Sequence, residues 1–329
     1  MKMKLSIRAF LFFSAVVLGL VPFSFAADNY PARPVTVIVP VEAGGDADIV
    51  TRPLMERVAK ILGQPFVIVN KPGAGQTIGY REVYQAKPDG YTIGMGVASL
   101  ITAKLQGFLP YDYRDFTLMG NFWSANPLII ASTKTSRPFK TVQELFDYAK
   151  SHPGEVSLAT TAVGGPFWNS ALMIQERTGI KFNVIPQEGS AGFVLQQVAG
   201  GHTDTGISGS SAAKPQIDAG NVLPLAIIGP NRFPGKFNFI PTLKEIGYDV
   251  SFRTFGVVIG PPKMPKDAAS KLIKAVETAC KDPEYQSLIA SRFDTALYQS
   301  PDEFLKSADE DRKNLRAIFE KTGLLKEKK

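Results

Sequence analysis

Residues 35–62 read VTVIVP, VEAGGDAD and IVTRPLMERVAKIL in unbroken succession. A β-branched apolar run meets two glycines, and an apolar repeat of helical period begins at once. A chain built this way leaves a strand through a glycine turn and enters a helix directly. The backbone N–H groups from Ala43 to Ala47 then face outward at a helix amino end, where unpaired donors and the helix dipole both favour negative charge. Pro53 lies inside the helical run and removes the bond to Ile49, so the regular helix is expected to start near Thr51 after a looser turn over 44–48.

The same alternation continues down the chain. Apolar or β-branched runs fall at 35–39, 66–69, 92–97, 128–131, 156–159, 182–185, 205–208, 223–228 and 255–259. Helical periods lie at 50–61, 78–86, 142–150, 168–178, 191–199, 212–219, 268–280, 285–291 and 301–322. Strand and helix in alternation predict an α/β fold of mostly parallel sheets with helices on both faces. Ligands in such folds sit outside the carboxyl ends of the strands.

The amino end reads as an export signal. Lys2, Lys4 and Arg8 precede an uncharged apolar stretch over 9–23, and Ser24-Phe25-Ala26 supplies the small residues for cleavage after Ala26. The stretch is shorter than the ~20 residues a membrane span needs. About 300 residues would remain, enough for two lobes rather than one core. Loss of the three basic residues takes the formal charge from +7 to +4, and Lys and Arg are scattered, so a nucleic-acid surface is not indicated. The single cysteine, Cys280, excludes an internal disulfide and follows Ile273 and Val276 at helical spacing, as a buried structural thiol would.

Two further turns share the strand–glycine–helix character. One is Thr160-Thr161-Ala162-Val163-Gly164-Gly165-Pro166; the other is Gln187-Glu188-Gly189-Ser190-Ala191-Gly192. Three such turns read either as amide nests aimed at one anion or as ordinary turn chemistry. Machinery for catalysis is not evident. Gly206-x-Ser208-x-Ser210 lacks the final glycine of a nucleophile elbow, and the two histidines, His152 and His202, fall in glycine-rich turns. No His/Cys cluster suggests a metal, and Gly73 to Gly79 departs from the dinucleotide spacing, so no cofactor is expected.

Short motifs along the whole mature chain give a more specific reading. They are Tyr30-Pro31-Ala32-Arg33-Pro34, Gly44-Gly45-x-x-Asp48, Asn70-Lys71-Pro72-Gly73-Ala74-Gly75-x-x-Ile78-Gly79 and Lys87-Pro88-Asp89-Gly90-Tyr91-Thr92. Leu109-Pro110-Tyr111-Asp112, Gly200-Gly201-x-x-Asp204, Ile240-Pro241-Thr242 and Gly260-Pro261-Pro262 follow in order. In this the chain resembles the substrate-binding proteins of tripartite tricarboxylate transporters, the Bug family. The resemblance implies a two-lobed periplasmic binding fold that closes on a small organic anion and hands it to a large and a small membrane subunit. It implies lobe 1 from 27–125 plus 256–329 and lobe 2 from 126–255, in a monomer. By position, Val41, Glu42, Ala43, Gly44 and Gly45 would hold one carboxylate, with Asp48 fixing the loop. Thr160, Thr161, Val163, Gly164, Gly189, Ser190, Ala191 and Ser208 would face it from the other lobe.

Departures from the family pattern narrow the ligand. Glu42 would repel an anion if it faced the cleft, so it either points to solvent or selects a ligand with a donor group. Phe167 and Trp168 replace the usual small polar residues, which suits an aromatic acid or else simple packing of the helix start. Ile207-Ser208-Gly209-Ser210 lacks an acid to pair with an ammonium. Arg253, near a lobe crossover, could reach a carboxylate or form a hinge ion pair. Periplasmic sensing is the rival to uptake, and a secreted hydrolase stands further off.

Overall fold

The computed structural model describes residues 30–187, 191–233 and 235–327. The expected leader and its cleavage point lie outside the described residues, and so do Gly189 and Ser190.

Two five-stranded sheets organise the chain. The first runs β2-β1-β3-β10-β4 and comprises β1 (Val35–Val39), β2 (Phe66–Asn70), β3 (Thr92–Gly96), β4 (Thr117–Ala125) and β10 (Thr254–Gly260). The second runs β7-β6-β8-β5-β9, from β5 (Leu128–Ser132), β6 (Ser157–Thr161), β7 (Asn183–Gln187), β8 (Thr205–Ser208) and β9 (Val222–Ile227). Both sheets are mixed. β1 pairs in parallel with β2 and β3, and β6 with β7 and β8, whereas β10 and β5 are antiparallel to both neighbours. The expected parallel pairing therefore holds in one half of each sheet. β5 and β10 are the strands by which the chain enters a sheet from the other one, so they run away from the interface that the parallel strands run toward.

Period-2 alternation in the strands sets the layers. In β1, Val35, Val37 and Val39 pack against Val50, Leu54 and Val58 of α1 (Asp46–Leu62), with Leu272 and Val276 of α8 (Lys266–Cys280) and Ile289 of α9 (Pro283–Ala290) in the same core. Ile38 points the other way, into the core of α2 (Thr77–Gln85), α3 (Ser99–Leu105) and α10 (Pro301–Lys321). In β5, Leu128 and Ile130 join the core of α6 (Ala191–Gly200) and α7 (Ser210–Asp218), while Ile129 and Ala131 join that of α4 (Val142–Ser151) and α5 (Pro166–Thr178). Each such aliphatic side chain, fully buried, contributes roughly 1.5–3 kcal/mol. Cys280 lies in the first lobe's core with Sγ donating to the Phe122 carbonyl at 3.3 Å, and burial pushes its thiol up to about 12.

Three sequence expectations change. α1 is continuous from Asp46, not delayed to Thr51: Pro53 is accommodated within it, and Thr51 Oγ1 donates back to the Ala47 carbonyl at 2.6 Å. β4 shows no strand pattern in the sequence because Gly120 and Asn121 interrupt its apolar run; Gly120 takes φ +105° and the pairing with β10 shifts register nearby. α3, seven residues long, continues an apolar run already assigned to β3 and is too short to show a helical period of its own.

Candidate ligand cleft

The carboxyl ends of β1 and β3 in one lobe and of β6 and β8 in the other open on a common cleft. A hollow of about 370 Å³, counted with its opening to solvent, lies there, lined by Val41, Gly45, Asp46, Ala47, Gln76, Val97, Trp123 and Thr254 on the side of the first sheet and Thr161, Pro166, Phe167 and Ala191 on the side of the second. A smaller space of about 300 Å³ adjoins it through Val41, Gln76 and Thr161, and is bounded by Glu42, Gly73 and Gly165. The lobes touch beside this space, at the 163–164 turn. Gly75 lies against the Val163 carbonyl, and Thr102 Oγ1 reaches the Gly164 carbonyl at 3.3 Å, with Asn169 Nδ2 bonding both.

Asp48 organises the first loop. Its carboxylate accepts from the Gly44 amide at 2.9 Å, from Arg52 at 2.7 and 2.9 Å, and from Asn70 Nδ2 at 2.9 Å; Asn70 also donates to the Val41 carbonyl. Burial pushes the Asp48 carboxyl up, but bonds from Arg52, Gly44 and Asn70 outweigh it and hold the group below the usual carboxylate value. These bonds alter what the loop offers a ligand. The Gly44 amide is committed to Asp48 and the Gly45 amide to the Glu42 carbonyl at 3.2 Å. The donors left facing the cavity come from the first turn of α1, Ala47 above all, because a helix's first amides have no acceptor within it. Ala43 and Gly44 are exposed on the rim, and Glu42 is half-buried, lining the smaller space rather than standing free in solvent.

The second lobe supplies a matching helix start. α5 begins at Pro166 after Gly164-Gly165; proline has no amide to lose there, and Phe167 and Trp168 carry its first-turn donors. Gly164 has φ +84°. Thr161, 4% exposed, lines both spaces and its Oγ1 has no partner among the described residues. The other expected residues fare differently. Thr160 is fully buried with its hydroxyl turned to the Thr161 carbonyl, and Ser208 is fully buried with its hydroxyl on the Gly209 carbonyl. Trp168 is buried within α5 and Val163 is exposed, neither among the residues lining these spaces. Arg253 pairs with Asp311 at 2.9 Å and lines a separate hollow with Asn126 and Asn314, so it forms the crossover ion pair instead of reaching into the cleft.

Comparison with known proteins gives this geometry its family. The sequence profile TctC, described as the tripartite tricarboxylate transporter family receptor, matches residues 50–324. The chain belongs to that family. Among its relatives, the UPF0065 protein in gbd 5'region of Cupriavidus necator is 30% identical over 318 residues, spanning 95% of this chain and 94% of its own. Protein BugT of Bordetella pertussis is 30% identical over 84% of this chain and 86% of its own. The structure of the periplasmic binding protein BugD superposes with a TM-score of 0.83 at 28% identity, covering 90% of this chain and 99% of that one. MatC from Rhodopseudomonas palustris with bound malate gives 0.81 at 25% identity, over 88% and 99%. The TctC receptors are periplasmic substrate-binding proteins, and this chain has their two-lobed fold. No helix among its described residues is long and apolar enough to cross a membrane.

The TctC chain also carries functional candidates that sequence reading missed. Trp123, from β4, and Phe167, from α5, line the cavity from the two sheets. Asp46 is the more unusual. Its carboxylate accepts from the Ala212 amide at 2.8 Å and crowds Gly209, so an acid from lobe 1 caps the start of α7 in lobe 2. Asp294, from the loop after α9, binds the same helix start through the Ser210 and Ser211 hydroxyls and accepts from Trp123 Nε1 at 2.8 Å. Burial raises Asp46 to about 6; burial and then the Asp46 charge raise Asp294 to about 7. The only sequence hint was the acidic residue at position 46, which reads equally well as ordinary first-turn acid.

Proposed function

We propose that this protein captures a small carboxylate-bearing molecule between its lobes and delivers it to the large and small membrane subunits of a tripartite transporter. The observation that carries this reading is the convergence of α1 and α5, from opposite lobes, with their amino ends on one cavity lined also by Thr161, whose buried hydroxyl has no partner among the described residues. Hydrogen bonds to a charged group contribute ~1.5–3 kcal/mol each. Four or five therefore match the ~8 kcal/mol of micromolar affinity, less the cost of immobilisation and closure. A guanidinium is not required. The malate bound by MatC supports a dicarboxylate, and the Trp123 and Phe167 rings support a flat apolar body, as in an aromatic acid.

Closure would turn on the crossovers near 126–133 and 253–260, between lobe 1 (27–125 and 256–329) and lobe 2 (126–255). Export to the periplasm with cleavage after Ala26 belongs to the same proposal. A thermal-shift screen of the purified protein against malate, citrate and benzoate tests it. A ligand at ~100 times its Kd raises stability by ~2.7 kcal/mol. Shifts confined to neutral or cationic compounds would sink the carboxylate reading.

A further inference from the structure

We propose that the Asp46–Asp294 pair is a proton-binding site in the floor of the cleft, and that a carboxylate ligand enters together with a proton taken up by this pair. The inference rests on the carboxylate reading above and extends it to the chemistry of the cavity floor. Asp46 lines the cavity directly, and Asp294 lies behind it on the same α7 start, joined to the cavity wall through Trp123. Among the described residues neither carboxyl has an ion-pair partner, and both are almost wholly buried.

The surrounding charges do not neutralise the pair. On α1, Asp48 is matched by Arg52; on α7, Lys214 bonds Asp218 and lies over the Phe237 and Phe293 rings. On α9, Tyr285 gives its hydroxyl to the Val50 carbonyl, and Arg57 beyond it is held by Asp282 and Glu284. Arg232, in the connection to β10, is paired with Glu245, while Arg292 lies two residues before Asp294 without an ion pair among the described residues. Glu42, farther out, adds a negative charge to the rim. Two ionised acids here would face an incoming anion from an almost wholly buried floor, and like charges at close range raise the cost of ionisation. One proton on the pair relieves this, and it leaves the other carboxylate to cap α7.

The sign follows from linkage. Bound anion raises the pair's proton affinity, so the complex holds more protons than the free protein. Affinity then rises as pH falls from about 8, by up to roughly tenfold per pH unit for one linked proton. It levels off once the free pair is itself protonated, near and below about 6.

The test is titration calorimetry of the purified protein with malate and benzoate from pH 5.5 to 8.5, in buffers of different ionisation enthalpy, beside infrared spectroscopy of protein labelled with 13C at aspartate. The expected result is uptake of close to one proton per ligand near pH 8, with affinity at least fivefold tighter at pH 6 than at pH 8. A buried protonated-carboxyl carbonyl band should be present at pH 6 without ligand and lost in Asp294→Asn. That variant keeps the cavity wall and should bind with little dependence on pH; Asp46→Asn serves as the second variant if it folds poorly. Binding of either probe with no proton uptake, or an unchanged pH slope in both variants, overturns the linkage while leaving the carboxylate reading intact. Failure of both probes to bind at any pH overturns that reading and the linkage with it, whatever the infrared band shows.

Discussion

Replacing Asp48 by alanine tests how the first loop is held. The substitution removes the acceptor of the Gly44 amide, of Asn70 Nδ2 and of two Arg52 bonds. Arg52 is nearly half exposed and regains water, so its share is worth ~0–1 kcal/mol at most. Loss of the loop-to-helix bond, which acts as a cap would, costs ~1 kcal/mol. Leaving the part-buried Asn70 donor with only the Val41 carbonyl costs about another 1 kcal/mol. The expected loss is thus ~2 kcal/mol, or roughly 4–8 °C in Tm for a lobe of this size. Ligand affinity should fall more steeply than stability alone implies, because the 42–45 turn then has to be ordered at a cost of ~1–2 kcal/mol per residue fixed. Urea denaturation and calorimetric titration of the two proteins measure both effects. The pH dependence gives a second check. Asp48 titrates below its ordinary value when folded, so its contribution is fully present above the unfolded value near 3.8 and is lost as pH falls through the folded one. The stability gap to Asp48→Asn should therefore be flat from pH 5 to 8 and close on acidification. A variant within ~0.5 kcal/mol of wild type, binding with unchanged affinity, would show that the hub does not hold the loop.

Other substitutions separate the parts of the cleft. Thr161→Val removes a buried hydroxyl without a partner among the described residues, so melting temperature should hold or rise while affinity drops roughly ten- to 150-fold, as befits one lost bond to a charged ligand. Phe167→Ala should weaken benzoate more than malate if the ring stacks on the ligand; equal losses for both, read by calorimetry, would assign the ring to packing alone. Gly164→Ala forces a side chain onto a φ of +84° and within 2.5 Å of Phe108, so chemical denaturation should show a loss of ~1–3 kcal/mol. Arg253→Gln should leave affinity within about twofold in the same titration, since its pair with Asp311 lies outside the cavity.

Much of the architecture was legible because each parallel unit announces itself locally. VTVIV followed by GGD, and SLATT followed by GGP, carry strand, turn and helix start in nearby residues, and the structure has these elements in that order, with α1 and α5 starting a few residues earlier than their apolar periods suggest. β4 escaped because its pleat is broken by Gly120 and its partners lie more than a hundred residues away, at 254–260 and 295–299. The site was half legible for the same reason. Glycine turns could be read as donors, but the sequence does not show that Asp48 bends back to occupy the Gly44 amide. Nor does it show that Asp46 crosses to α7, a contact spanning 166 residues. Trp123 entered the cavity wall only once β4 was laid beside β10.

Cys280 offers a practical reward for its seclusion. Sealed between α8 and β4, with a thiol that resists ionisation, it is expected to ignore maleimides and oxidants for as long as the native packing lasts. Its rate of labelling would then clock how often the first lobe breaches its interior, with no reporter engineered into the protein. The second lobe is silent in that measurement, so ligand-dependent protection of this one sulfur would tell which half of the molecule the guest steadies.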